Sequence, residues 1–233
     1  LPAALNSGKD RMTWAGFAGV FALFLVTLSV PVRPAIKSRI VAAVGVRWFS
    51  LGYSVLSIGM LSLLIWAAGQ APFVELWPQM AWHRHVVHLG MLAVCLILAL
   101  SIARPNPFSF GGARNADFDP RHPGMVRYTR HPFLFAMSIW AALHMLPNGD
   151  LAHVLLFGTL GSFALVGRQL INRRKRREMG ADAWDTLNAS VAKAPYIATS
   201  SSLAKAAIRL VAGLVAFAIL LLLHPIVIGV SAL

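Results

Sequence analysis

Two short patterns in this chain carry side chains able to do chemistry. The first is Trp140-Ala141-Ala142-Leu143-His144, an apolar run holding one imidazole with no charged neighbour. Imidazole binds haem iron, zinc and copper. Polar groups set in apolar spans are costly and mark functional sites by default. Other histidines fall at a similar depth: His83, His85 and His88 in one segment and His153 in another. His85 and His88, three residues apart, share a helix face. His144 and His153 flank the turn Pro147-Asn148-Gly149-Asp150, which predicts that they are near neighbours. A histidine cluster at one depth fits a metal or haem site, and it fits equally a set of rings facing interfacial water. There is one cysteine, Cys95, so neither a Cys-His zinc spacing nor an internal disulfide is available.

The second pattern is Arg121-His122-Pro123 with Arg130-His131-Pro132. Proline pushes the residue before it out of the helical region and can itself open a helix. Arg130-His131 is therefore predicted to cap a helix start, where unpaired N–H groups and the positive dipole end suit an anion. Arg127, Arg130 and His131 add charge. A lipid headgroup, a carboxylate or a nucleotide cofactor fits such a place, and so does simple anchoring of a basic loop at a membrane surface.

The elements that must position these groups are long apolar helices. Of the 233 residues, 58% are hydrophobic and 12% charged, against about 25% charged in a soluble domain. A helix crosses the hydrocarbon core with about 20 apolar residues. About six such runs are present, near Met12–Val30, Phe49–Ala68, His85–Ala103, Phe133–Leu146, Leu151–Leu170 and Ala207–Val230. The fold class is all-α, a multi-pass transmembrane bundle with a short helical hairpin over 133–170. Residues 12–233 form one membrane domain and residues 1–11 a polar tail. In the hairpin, Asn148 and Gly149 are expected to take the left-handed conformation that closes the first helix, and Asp150 to cap the second. The fourth run is short and need not cross fully. Trp184, Leu187 and Val191 fall at helical spacing, which reads as an amphipathic helix on the inner membrane surface.

Charge fixes the orientation. With the loops after the first, third and fifth runs on one side, that side holds all but three of the 21 lysines and arginines, the exceptions being Lys9, Arg11 and Arg84. This bias places it in the cytoplasm and the chain in a bacterial inner membrane. The formal charge of +13 then reflects contact with anionic lipid headgroups, not nucleic acid; the run Arg173–Arg177 serves the same purpose.

The segments Arg104–Gly112, His122–Pro132 and Trp140–Asp150, with their Arg-His-Pro and Trp-x-x-x-His-x-x-x-Asn-Gly patterns, resemble the NnrU-like membrane proteins. The likeness extends over roughly Met12 to Tyr196. It implies a role linked to denitrification, the reduction of nitrite and nitric oxide. The ζ-carotene isomerases are similar to this family. That similarity implies His144 as an axial ligand of haem b, close to Trp140 and Asn148, and redox-linked isomerisation of a lipophilic substrate. Two positions depart from the isomerase pattern: Ala141 replaces a redox-switching Cys, and Leu28 stands where the other axial His aligns. His88 or His153 is then the candidate second ligand. A looser resemblance joins Arg130-His131-Pro132, the hairpin and Pro195-Tyr196 to the isoprenylcysteine carboxyl methyltransferases. It implies S-adenosylmethionine near Arg130 and His131, with departures at Leu134, Arg173 and Arg174. A third reading is a non-enzymatic assembly or transport factor. Catalytic function is thus expected at His144 or His131, and oligomeric state is not readable.

Overall fold

In a computed structural model the described residues are 12–110, 113–196 and 203–230, and the expected tail at 1–11 lies outside them. Seven α-helices are present among these residues: α1 Trp14–Ser29, α2 Pro34–Gln70, α3 Ala81–Ser101, α4 Pro132–Met145, α5 Leu151–Met179, α6 Ala181–Lys193 and α7 Leu203–Val227. Two 3₁₀ turns, Asn115–Asp117 and Gly124–Arg127, sit in the long connection between α3 and α4. The all-helical membrane fold holds: α2, α3, α5 and α7 are long and apolar enough to cross a bilayer, whereas α1 and α4 are shorter apolar helices. At 1.5 Å per residue, the 14 residues of α4 reach about two thirds of the 30 Å hydrocarbon thickness.

The bundle is apolar on the outside. Ile226 is 78% and Leu89 71% exposed, an arrangement that costs free energy in water and none in lipid.

The chain forms two compact units. Of the described residues, one comprises those up to Trp77 together with Gly149–Leu156, and the other those from Pro78 to Asn148 and from Phe157 onward.

In the first unit, α1 packs on α2, and the Tyr53 hydroxyl donates to the Leu28 carbonyl at 2.8 Å. The basic loop expected after the first span is helical instead. Pro34 is the first residue of α2, a position where its missing N–H costs no bond, so Lys37, Arg39 and Arg47 ride on a helix that begins about 15 residues before the apolar run. Gly45, at φ 82° and ψ 159°, kinks α2 between Lys37 and Arg39 on one side and Arg47 with the apolar part on the other. The left-handed turn expected at Asn148-Gly149 is absent, because neither residue has positive φ. Gly149 is needed for close approach. Its carbonyl accepts from the N–H of Leu76 at 2.7 Å and of Trp77 at 3.2 Å, and a Cβ there would collide with the Trp77 carbonyl. Asp150 caps α5 as expected: its Oδ1 accepts from the His153 N–H at 3.2 Å.

In the second unit, α3 packs against both α4 and α7. Gly90 admits the Leu143 side chain, and Gly213 admits Leu96 and Ala99. Arg209 on α7 caps α3, its guanidinium donating to the carbonyls of Ala99 at 2.7 Å and Ile102 at 2.9 Å. The amphipathic helix α6 differs from expectation. Its apolar face is covered by protein: Trp184 and Val191 are buried with Phe108 and Val126, and Leu187, Phe118 and Met179 pack around them. Phe108 meets Trp184 edge-to-face at 4.9 Å. Helical periodicity shows that a face is apolar, not what covers it; here the α3–α4 connection does.

Candidate functional site

Pro132 opens α4 as its first residue, and His131 is the N-cap with non-helical backbone (φ −123°, ψ 66°). The α3–α4 connection reaches this point through Asn106, whose Nδ2 donates to the Arg130 carbonyl at 3.0 Å and whose Oδ1 accepts from the Phe108 N–H at 3.1 Å. His131 is 2% exposed. Its ring lies between the Ser109 hydroxyl (Nδ1, 2.9 Å) and Asn172 Oδ1 on α5 (Nε2, 2.8 Å). An amide oxygen only accepts, so Nε2 carries the proton and Nδ1 accepts from Ser109. Both ring nitrogens are engaged within the protein.

Around it lies a cavity of about 300 Å³ whose lining includes Arg127, Arg130, Arg168, Asn172 and Asn188. Arg130 Nη1 donates to Asn188 Oδ1 at 2.8 Å, its guanidinium lies 5.9 Å from the Trp184 ring, and its Nε is buried without a hydrogen-bond partner. Arg127 Nε donates to the Ala194 carbonyl at 2.8 Å and its guanidinium stacks 3.9 Å from the Tyr196 ring. Arg168 stands 5.8 Å from the Phe135 ring. The amide oxygens of Asn172 and Asn188 are used by His131 and Arg130, which leaves their NH₂ ends, both donors. No Asp or Glu lines the cavity. Its polar character is thus that of a donor-rich, cationic recess.

Burial, followed by the charges of Arg130 and Arg168, holds the His131 pKa below the ordinary histidine value, against the opposing pull of the Asn172 hydrogen bond. His131 is therefore neutral at pH 7. Between its depressed folded value and about 6.5 the unfolded chain binds the extra proton, so stability rises with pH across that window and falls on acidification. His131→Gln should flatten this dependence, read as unfolding midpoint against pH from 7.5 down to 5.

At the other end of α4, the His144 Nδ1–H donates to the Trp140 carbonyl at 2.8 Å. That bond fixes the tautomer and leaves Nε2 with its lone pair. The ring is packed by Trp140 at 4.9 Å and by Phe157 on α5 at 5.2 Å. Asn148 closes α4, its Nδ2 donating to the His144 carbonyl at 2.7 Å.

Among the described residues, no group of three or more His, Cys, Asp or Glu is placed to hold a metal ion. His153 belongs to the other compact unit and pairs with Asp150 at 2.7 Å. His83 is buried and accepts the Met80 N–H. His224 donates to the Val230 carbonyl at 2.7 Å, and His88 sits half-buried on α3.

Sequence reasoning found Arg127, Arg130 and His131 but missed Arg168, Asn172, Asn188 and Ser109. The signal for the first two was a polar pair at i, i+4 where the apolar part of α5 gives way to its basic end.

The fold and this site define a polytopic α-helical membrane protein with a cationic recess at the Arg-rich end. The chain belongs to the NnrU family: the family model described as NnrU protein matches residues 16–232. No curated protein and no solved structure matches it.

Proposed function

We propose that the working site is the arginine-lined cavity and that the protein binds there the anionic group of a small molecule or lipid. One observation carries this reading: three guanidinium groups and two side-chain amides converge on a cavity lined by no carboxylate. The lysine and arginine bias puts this end on the cytoplasmic side of the bacterial inner membrane. The carboxylate of S-adenosylmethionine, the cofactor implied by resemblance to the isoprenylcysteine methyltransferases, is one anion of this class. Calorimetry of the detergent-purified chain with S-adenosylmethionine and with pyrophosphate is the test. Saturable binding of at least one of the two ligands is expected. Arg130→Gln should weaken it by roughly ten- to a hundredfold, the worth of a charge-assisted hydrogen bond. Flat titrations with both anions would reject the reading.

A second reading is favoured by the tether on His144. A metal-binding histidine characteristically donates its other ring N–H to a carbonyl or carboxylate, and the Trp140 carbonyl serves that role here. His144, packed by the Trp140 and Phe157 rings, would hold haem b through its free Nε2. When bound, haem would supply the redox-linked isomerisation of a lipophilic substrate, in a setting linked to denitrification, that the family resemblance implies. Purified protein is then expected to show a Soret band with stoichiometric iron, and His144→Ala to lose both. A colourless, iron-free preparation sinks this reading and leaves the first intact.

A further inference from the structure

The cavity also limits what kind of anion enters it, and this step rests on the proposal that it binds one. Arg127, Arg130 and Arg168 place three fixed positive charges around about 300 Å³ with no acidic side chain in the lining. S-adenosylmethionine could offer its carboxylate, but its ammonium and sulfonium groups would meet repulsion there, which narrows the proposed anion to one without a cationic group. A monoanionic carboxylate would leave two of the three cations uncompensated. A phosphate monoester carries close to two negative charges and three strong acceptor oxygens, and guanidinium forks match its geometry. Arg130 Nε, buried without a partner, is a donor of the kind native structures seldom leave unsatisfied. The volume lies at the bottom of the range for ligand pockets, enough for a headgroup and small for a dinucleotide.

The surroundings indicate what the phosphate is attached to. Arg168 and Asn172 are carried by α5, which is long and apolar enough to cross a membrane. On that helix, Leu165, three residues before Arg168 and on the same face as Arg168 and Asn172, is 52% exposed. Phe133, on the first turn of α4 beside His131, is exposed as well. Cationic groups recessed beside apolar side chains that face lipid suit a molecule with a charged end and a hydrocarbon body.

We infer that the cavity holds the terminal phosphate monoester of an amphiphile whose hydrocarbon chains lie in the bilayer beside α4 and α5. Retention of lipid by the full chain tests this. The protein is reconstituted in phosphatidylcholine doped with dioleoyl phosphatidate or, separately, with phosphatidylglycerol, then extracted and read by native mass spectrometry. One phosphatidate per chain is expected, preferred over the diester phosphatidylglycerol by about tenfold or more. Arg130→Gln and Arg168→Gln should abolish the preference. Arg173→Gln with Arg176→Gln, on the exposed basic run, should leave it unchanged. Asn188→Asp gives an independent arm should the arginine variants not fold, because a carboxylate placed against Arg130 competes with the phosphate and should also remove the preference. Equal retention of the two lipids overturns the inference, as does loss of preference in the Arg173/Arg176 variant. Saturable binding of pyrophosphate or glycerol 3-phosphate without phosphatidate preference would make the source a soluble phosphate, overturning the amphiphile but not the anion site. Binding of none of these, and none of S-adenosylmethionine, removes both proposals.

Discussion

Gly149→Ala should destabilise the protein by about 3 kcal/mol, toward the upper end of overpacking costs. The added Cβ would collide with the Trp77 carbonyl oxygen and with the indole Cδ1 and Nε1. The indole can rotate, but the carbonyl cannot move freely. The Trp77 and Leu76 N–H groups are both bonded to the Gly149 carbonyl, and the Leu151 N–H is bonded to Val74 at 2.9 Å, so the two backbones are strapped together on either side of the clash. Relief requires breaking the strap, which would leave backbone donors without partners. Gly52→Ala on α2 is the control, since nothing lies within 4 Å of a Cβ there and alanine favours a helix interior by up to about 1 kcal/mol. Unfolding midpoints in detergent, measured on both variants, check the claim. Equal stability of the two would show that Gly149 is only a flexible turn residue.

That glycine marks where the sequence stopped being informative. The hairpin was legible, because Pro147-Asn148-Gly149-Asp150 is turn chemistry between two apolar runs, and the capping role of Asp150 followed from residue type alone. The reason for glycine did not follow, since it depends on a segment some 70 residues earlier in the chain. The spans were legible because the bilayer imposes a length and an apolar composition that any reader can count. The early start of α2 was not, because proline reads as a stop until its position as first helical residue is known.

The candidate sites divide in the same way. Arg130-His131-Pro132 announces itself by adjacency, and its helix-capping geometry follows from what proline does to its neighbour. The cavity does not, because its walls come from the connection before α4, the end of α5 and the middle of α6, and only folding brings Asn172 to His131 and Asn188 to Arg130. The grouping of His144 with His88 or His153 rested on depth alone. Similar depth in a membrane fixes one coordinate of a side chain and leaves its azimuth about the helix free. His144 spends Nδ1 on Trp140, and His153 spends Nδ1 on Asp150.

The same dependence on distant segments makes Phe108 the side chain whose loss should most disturb the cationic recess. Phe108 is fully buried and sits edge-to-face on Trp184 and on Phe118. It joins the α3–α4 connection to α6, and α6 brings Asn188 to the cavity. Phe108→Ala removes a buried aromatic ring, a change that costs about 3–5 kcal/mol in well-packed sites. The loss should appear as local opening, because α6 is docked through this small cluster and through few other contacts. Amide exchange along α6 is then expected to rise by about a hundredfold or more, with little change in α3 or α7. Anion affinity should fall with it, since Arg130 loses both the Asn188 acceptor and the Trp184 ring when α6 leaves. Ile226→Ala on the lipid-exposed face of α7 is the matched control and should alter neither quantity. Exchange in α6 unchanged by Phe108→Ala would mean that α6 is held elsewhere, for instance by the Arg176–Asp185 pair at 2.7 Å. That pair is half-exposed on both sides, and exposed ion pairs contribute about 0–1 kcal/mol. A contribution of that size cannot substitute for a buried ring, which is why the aromatic cluster, not the surface charge, is expected to decide whether the recess exists.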